Sequence, residues 1–316
     1  MRVEQTRVAL GVVVAVGLLC GCSIKRIAVN KLGNALASSG TTFEGDDDPD
    51  LVAGALPFGL KLMESLLAES PRHTGLLLAT ASGFTEYGYA FVGQHAERVA
   101  AENLEEGNVL RLRARRLYLR ARGYGMRALD VRYPAFASGL GRDRDSALAR
   151  VRKRDVPILY WTAAAYALAI SASKDDPEMI AELPVVEAFI RRAVELDQSW
   201  NEGALPEFLI SLEATFSGSK PAKDIQASMR RYYEQAVHLS RGQRASVFVS
   251  YAENASIPAQ NRSEFREMLE RALQIDPDRH VETRLANLIS QRRARWLLGR
   301  IDELFLEPAA EGKEAR

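Results

Sequence analysis

The chain has 316 residues, 47% of them hydrophobic, with 42 Lys and Arg against 41 Asp and Glu and a formal net charge of +1. A chain so near neutrality lacks the positive field that non-specific nucleic-acid binding needs. Its two cysteines, Cys20 and Cys22, lie together near the N-terminus, so no disulfide framework supports the rest, which must rely on a buried core.

Arg2 and Arg7 precede an apolar run from Val8 to Leu19. A basic start and a short apolar stretch read as a secretory signal, and the run is too short to span a bilayer convincingly. It ends in Leu19-Cys20-Gly21-Cys22, a branched residue, two small ones and a cysteine, which is the pattern that bacterial lipoprotein processing recognises. The thiol of Cys22 is the expected acylation site; Cys20 fits less well because bulky Leu19 precedes it. Acyl chains anchor through buried methylenes, and stable attachment takes more than one. An Asp after the modified cysteine marks inner-membrane retention in enteric-type bacteria, so Ser23 favours the outer membrane. The expected organisation is a signal peptide over 1–21, an acylated tether over 22–47 and a helical domain over 48–316.

Asp48-Pro49-Asp50 predicts a helix start, with a capping Asp, Pro in the first turn and an acid at the positive end of the dipole. That helix extends to about Glu69, with a kink expected at Pro57, before Ser70-Pro71 stops it. Further helices are predicted over 72–102, 105–131, 155–172, 177–197, 202–216, 224–240, 243–254, 260–275 and 281–306. The 105–131 segment shows the periodicity clearly. Leu110, Ala114, Leu117, Ala121, Tyr124 and Ala128 are spaced by three or four and share one face, whereas Arg113, Arg116, Arg120 and Arg127 fall on another. The strand-like piece from Ala245 to Tyr251 is short and lies between helical patterns, which predicts a helix there too.

Four helix ends share a pattern: Leu62 to Pro71, Phe189 to Gln198, Tyr232 to Arg241 and Met268 to Pro277. Counting back from the last residue, positions 9, 8, 5 and 4 are apolar in all four, which makes one helix face. The last three ends recur at intervals near the 34-residue tetratricopeptide period, and the stretch between the first and second is longer and divergent. The pattern predicts an all-α, tetratricopeptide-like helical repeat array of about 10–12 helices in antiparallel pairs, with a continuous core and a concave surface.

Several blocks together resemble a known family. They include Asp48 to Pro57, Leu60 to Pro71, Leu76 to Phe91, Ala114 to Arg122, Leu159 to Ala165, Arg284 to Asn287 and Ala294 to Leu298. The family is that of the periplasmic tetratricopeptide-like lipoproteins associated with tripartite ATP-independent periplasmic (TRAP) transporters, the TatT family, and the resemblance covers nearly the whole chain after the signal. It implies a partner, the solute-binding protein of a TRAP-type transporter. It also implies a cavity or pore that passes apolar or amphipathic ligands, and homo-oligomers, trimers among them.

Phe84, Tyr87, Phe91, Tyr118, Tyr160 and Trp161 are the candidate cavity residues, because aromatic rings line apolar cavities and hydroxyls orient ligands. The same spacing fits core packing. Gly83 and Gly88 flank this cluster and fit close helix approach or room for a ligand. The arginines between Arg111 and Arg132 suit either an acidic partner or a solvated face. The acidic stretch Asp46 to Asp50 lacks the glycine and distant Glu of a calcium loop and reads as capping. The four histidines have no zinc spacing, and no nucleotide-binding or hydrolase motif is present, so neither a cofactor nor an enzyme activity is expected. Two functions remain: a periplasmic, membrane-anchored binding and assembly component working with a TRAP-type solute-binding protein, or a scaffold lipoprotein of envelope biogenesis with no small-molecule ligand.

Overall fold

A computed structural model describes residues 30–36, 43–215 and 219–306. The predicted acylation site, Cys22, lies outside the described residues. Among those residues the chain is all-α and contains no strand. A short helix over 30–36 precedes the array.

Helix α1 (Pro49–Glu69) begins where expected. The Asp48 carboxylate accepts hydrogen bonds from the Asp50 and Leu51 amides, both at 3.0 Å, and Pro49 occupies the first turn. The helix passes through Pro57 as one element. It is long and apolar enough to cross a membrane. Yet Val52, Leu56, Leu60, Met63, Leu66 and Leu67 on one side are buried against other helices, as in the core helix of a folded domain.

The predicted 72–102 helix is divided. Helix α2 (Thr74–Tyr87), capped by the His73 ring, enters a π-helical segment (Gly88–Gly93), and α3 (Gln94–Glu102) follows. Helix α4 (Leu104–Arg132) packs back along both. Where α3 meets α4, a Cβ on Gly107 would lie 2.6 Å from the Ala100 Cα and 2.8 Å from its backbone nitrogen, so the two helices touch through backbone. The divergent middle contains two short helices, α5 (Phe136–Arg142) and α6 (Arg144–Ala149), which the periodicity does not reveal. They are fixed by Phe136, fully buried and edge-on to Phe189 with ring centroids 6.0 Å apart.

Helix α7 (Val156–Ser171) is buried on most sides and packs against α2, α4 and, after the short α8 (Pro177–Ile180), α9 (Leu183–Asp197). The regular repeats follow: α10 (Ala204–Ala214) pairs with α11 (Ala222–Leu239), and α12 (Ala245–Tyr251) with α13 (Arg262–Leu273). A second π-helical segment (Ala252–Ser256) extends α12. The strand-like 245–251 piece is thus helical. The shared helix-end pattern holds in three dimensions at two of its four positions: Met63, Ile190, Tyr233 and Leu269, eight before the end, and Leu66, Ala193, Ala236 and Ala272, five before it, are all buried. The array is tetratricopeptide-like. Helix α10 joins its two largest apolar clusters. Leu205, Leu209 and Leu212 face the N-terminal one and Ile210 the C-terminal one.

Helix α14 (Arg284–Gly299) ends the repeats, followed by the single turn α15 (Ile301–Leu304). Buried Asn287 accepts from the Ala245 amide at 2.9 Å and donates to the Gln243 carbonyl at 3.0 Å, while Gln291 donates to the Ala272 and Ile275 carbonyls at the end of α13. These bonds hold α14 in place. From there it reaches back to the start of the domain. Arg292 makes a two-pronged ion pair with Asp50 at 2.7 and 2.9 Å, and Arg284 donates to the Gly45 carbonyl at 3.0 Å. First and last helices of the array therefore touch, and the stack closes on itself.

Gly107→Ala gains helix propensity of up to ~1 kcal/mol but forces α3 from α4, so a net loss of about 1–2 kcal/mol is expected in urea unfolding. Arg292→Ala costs no more than about 1 kcal/mol, as for other solvent-exposed ion pairs. Hydrogen exchange of amides in the first turns of α1 and along α14 should nevertheless accelerate; unchanged exchange there would show that the pair does not close the array. The hydrogen bond and charge of Arg292 hold the Asp50 carboxyl below its usual range. The pair's contribution is therefore present at neutral pH and is lost as pH falls through that lowered value.

Candidate functional site

The closed stack brings a group of polar side chains within electrostatic reach of one another, and the space they border is the candidate recess. Tyr89 has 43% of its surface accessible, Glu86 is exposed and Glu253 and Tyr160 are partly so, while the surrounding protein raises the pKa of all four. They come from four elements: the last turn of α2, the first π-helical segment, α7 and the second π-helical segment. Arg293 enters from α14.

Each π-helical segment supplies one of these groups, Tyr89 from the first and Glu253 from the second. Such segments displace the side chains that follow and recur at functional sites. The first depends on glycine. A Cβ on Gly88 would lie 2.7 Å from the Tyr118 ring, and one on Gly93 2.7 Å from its hydroxyl. The Tyr118 hydroxyl in turn donates to the Gly88 carbonyl at 3.0 Å. Tyr118 thus holds the segment that presents Tyr89.

At one end of the recess Arg293 lies between two carboxylates, Glu253, whose Oε1 accepts from its Nε at 3.2 Å, and Glu97. Burial alone would lower the Arg293 guanidinium, but Glu253 and Glu97 outweigh it and keep the group charged. Burial also pushes the Glu253 carboxyl up, against the pull of Arg293. Further in, Glu207 pairs with Arg244 at 3.3 Å, and both act on the Tyr160 hydroxyl, which burial raises far above its ordinary range. Glu86 has no hydrogen bond or ion pair among the described residues. Burial, reinforced by repulsion from Glu44, pushes its carboxyl from the ordinary 4.5 up to about 8.

The six aromatic residues predicted to form a cavity fall into two groups. Phe84, 3% exposed, stacks on Tyr124 at 6.1 Å under the Arg120 guanidinium, and Tyr118, 4% exposed, serves the π-helical segment. Tyr87 and Phe91 lean on one another at 5.9 Å, partly buried, and the Tyr87 hydroxyl accepts from Arg113. Tyr160 and Trp161 lie apart from these, edge to face at 5.1 Å, in a cluster with Trp200 and Phe208. Of the six, Tyr160 is one of the enclosed side chains. Glu86, Glu253 and Arg293 escape notice in the sequence because their partners are distant. One signal was available: Glu86 is the only charged residue between His73 and His95, deep in an otherwise apolar stretch. The α4 arginines bond within the chain: Arg115 with Asp176 at 2.7 Å, Arg120 with Glu64 at 3.4 Å, and Arg127 with the Pro71 carbonyl.

No acid–base pair with a nucleophile is assembled at these residues. Residues 45–305 match the model of a family described as the TRAP transporter T-component. An uncharacterized protein of Treponema pallidum (strain Nichols) is 32% identical, over 92% of this chain and 95% of its own length.

A carboxyl whose pKa is higher folded than unfolded makes the folded protein hold the extra proton between the two values. Stability should therefore fall as pH rises from about 4.5 towards about 8 on account of Glu86. Glu86→Gln removes this slope, so the variant should melt above the parent at pH 8 with the gap narrowing towards pH 5. Equal melting curves across that range would place Glu86 in open solvent.

Proposed function

Because the chain belongs to the TRAP transporter T-component family, we propose that it is a lipoprotein, anchored at Cys22 to the periplasmic face of the outer membrane, that docks a TRAP-type solute-binding protein. In this reading the recess passes a small ligand to or from that partner. The chemistry is non-covalent: differential affinity and docking, with no bond made or broken. Assembly into a homo-oligomer, a trimer, belongs to the same reading.

One observation carries it. Polar side chains from four elements gather where the stack closes, and one of them, Glu86, has no hydrogen bond or ion pair among the described residues. A recess emptied and refilled by ligand accounts for these groups. The aromatic residues Tyr160 and Trp161 belong to the ligand's apolar contact in this reading, whereas Phe84 and Tyr118 support the wall, and Tyr87 and Phe91 border the first π-helical segment.

The full chain, gently solubilised from its own membranes and captured, should bring a TRAP-type solute-binding protein with it in near-stoichiometric yield by mass spectrometry. Cys22→Ser should release the chain from the membrane fraction. Capture of envelope-assembly factors alone, with no solute-binding protein, would favour the scaffold function, and a Cys22→Ser protein still sedimenting with membranes would exclude the lipid anchor.

A further inference from the structure

The short helix over 30–36 is fastened to the turn between α1 and α2. The Ser70 hydroxyl donates to the Asn30 Oδ1 at 2.7 Å, the His73 Nε2 lies 3.4 Å from the Asn30 carbonyl oxygen, and Leu36 packs on the N-terminal apolar cluster. Gly33 sits against the same His73 ring, where a Cβ would lie 3.3 Å from Nε2. Cys22 is eight residues before Asn30, and a span of eight residues reaches at most about 28 Å. The charged residues between Cys22 and Phe43 are Lys25, Arg26 and Lys31, all basic.

Around that turn positive charge is left uncancelled. Arg72, within the turn, is exposed, and so is Arg152, whose amide donates to the Tyr133 hydroxyl at the end of α4; neither guanidinium has a hydrogen bond or ion pair among the described residues. Arg127 is held by the Pro71 carbonyl and exposed Arg150 by the Pro134 carbonyl. A carbonyl fixes a guanidinium in place without neutralising it. The acids nearby are already engaged: buried Asp155 with Arg132, Arg154 and the Tyr133 hydroxyl, and Asp130 with the Ala137 amide. Glu69, at the end of α1, is also partnered. Acids gather at the other end instead. Helices α1 and α4 run in the same direction, since Tyr124 meets Glu64 at 2.8 Å and Arg127 meets Pro71. Their starts, roughly 30 Å away by the helical rise, carry the acidic stretch Asp46 to Asp50 and Glu102, Glu105 and Glu106.

We propose that the basic end of the array is a second membrane attachment, with Arg72, Arg150 and Arg152 set against the phosphates of an anionic phospholipid leaflet and the acidic starts of α1 and α4 pointing away from it. This rests on the reading of Cys22 as the acylated residue. Position and charge select this occupant. The residue that carries the lipid is tied to within about 28 Å of this face, so the leaflet holding it is the surface the face meets first. Guanidinium groups match phosphate oxygens in paired geometry. An anionic leaflet attracts charges within a Debye length, about 8 Å at physiological salt, and each basic side chain so placed adds roughly fivefold to the attachment. Acyl chains alone leave the array free to turn about its tether. The uneven charge gives it one orientation, with the α3–α4 hairpin and the start of α1 outward, where a soluble partner can reach them.

The test takes the chain purified from its own membranes and reconstitutes it in vesicles of phosphatidylcholine alone, or of phosphatidylcholine and phosphatidylglycerol in equal parts. Phenylglyoxal then modifies accessible arginines, and peptide mass spectrometry reads the rate at each. Arg72, Arg150 and Arg152 should react at least about fivefold more slowly on the phosphatidylglycerol vesicles, with the protection lost at roughly 1 M salt, while Arg111 near the start of α4 reacts equally on both. In the double variant Arg72→Glu, Arg152→Glu, Arg150 should react as fast on phosphatidylglycerol as on phosphatidylcholine. Equal rates on the two vesicles for the unaltered protein, or protection of Arg111 instead, would overturn the proposal, and this reading does not depend on the variant folding. Protection that appears only when the solute-binding protein is added would also overturn it, by making this end a protein dock. Retention on phosphatidylcholine vesicles reports the acyl anchor separately. A chain that leaves those vesicles has no anchor at Cys22, and the basic face then stands only if the chain still floats with phosphatidylglycerol vesicles at low salt; failure to do so overturns it.

Discussion

The contact between the last helix of the array and the first governs everything else in this molecule. Stacked helix pairs ordinarily touch only their neighbours, and their curvature is the sum of small rotations. Here the rotation is taken far enough that α14 meets α1, through Arg292 with Asp50 and Arg284 with the Gly45 carbonyl. The exposed Arg292–Asp50 pair supplies little energy. The energy comes from the apolar clusters on either side of α10, and the seam only selects the curvature at which both are satisfied. Asn287 and Gln291 anchor α14 to the neighbouring helices so that its arginines arrive at the right height.

Closure changes the dielectric setting of whatever faces inward. A groove open to bulk water would leave Glu86, Tyr89 and Glu253 near their ordinary ionisation behaviour. Enclosure raises all three, and it keeps Arg293 charged only because two carboxylates flank it. The electrostatics of the recess are therefore a product of the superhelix as a whole. No single repeat contains them, and a fragment lacking α14 would lose Arg293 and leave Glu86, Tyr89 and Glu253 in a different setting.

Local physics made much of the fold legible. The Asp48 cap, the Pro49 start and the buried helix-end positions such as Ala193, Ala236 and Ala272 follow from rules that span four residues, and these were readable. The short helices α5 and α6 were not, because seven and six residues are too few to show a period, and Phe136 is held by a contact with Phe189 far along the chain. The recess was hardest to foresee for the same reason. Arg293 joins Glu253 across 40 positions, and Glu97 from the other end of the domain. Aromatic clustering drew attention to Phe84 and Tyr118, whose neighbours are core residues, whereas the lone acid in the apolar α2 stretch was the better marker of an inward-facing polar surface.

The two π-helical segments have an evolutionary corollary. A π-turn amounts to one residue added to an α-helix, and each residue turns the helix by about 100°. Deleting one residue between Gly88 and Gly93, or between Ala252 and Ser256, would return the segment to an α-helix and re-aim the side chains within it by about that angle, while the flanking helices kept their pairing. Tyr89 or Glu253 would then give way to a neighbour in sequence. The lining of this recess can thus be recomposed by single-codon insertions and deletions, without any change to the packed faces that hold the array together, and related chains can diverge in ligand while remaining alike in shape.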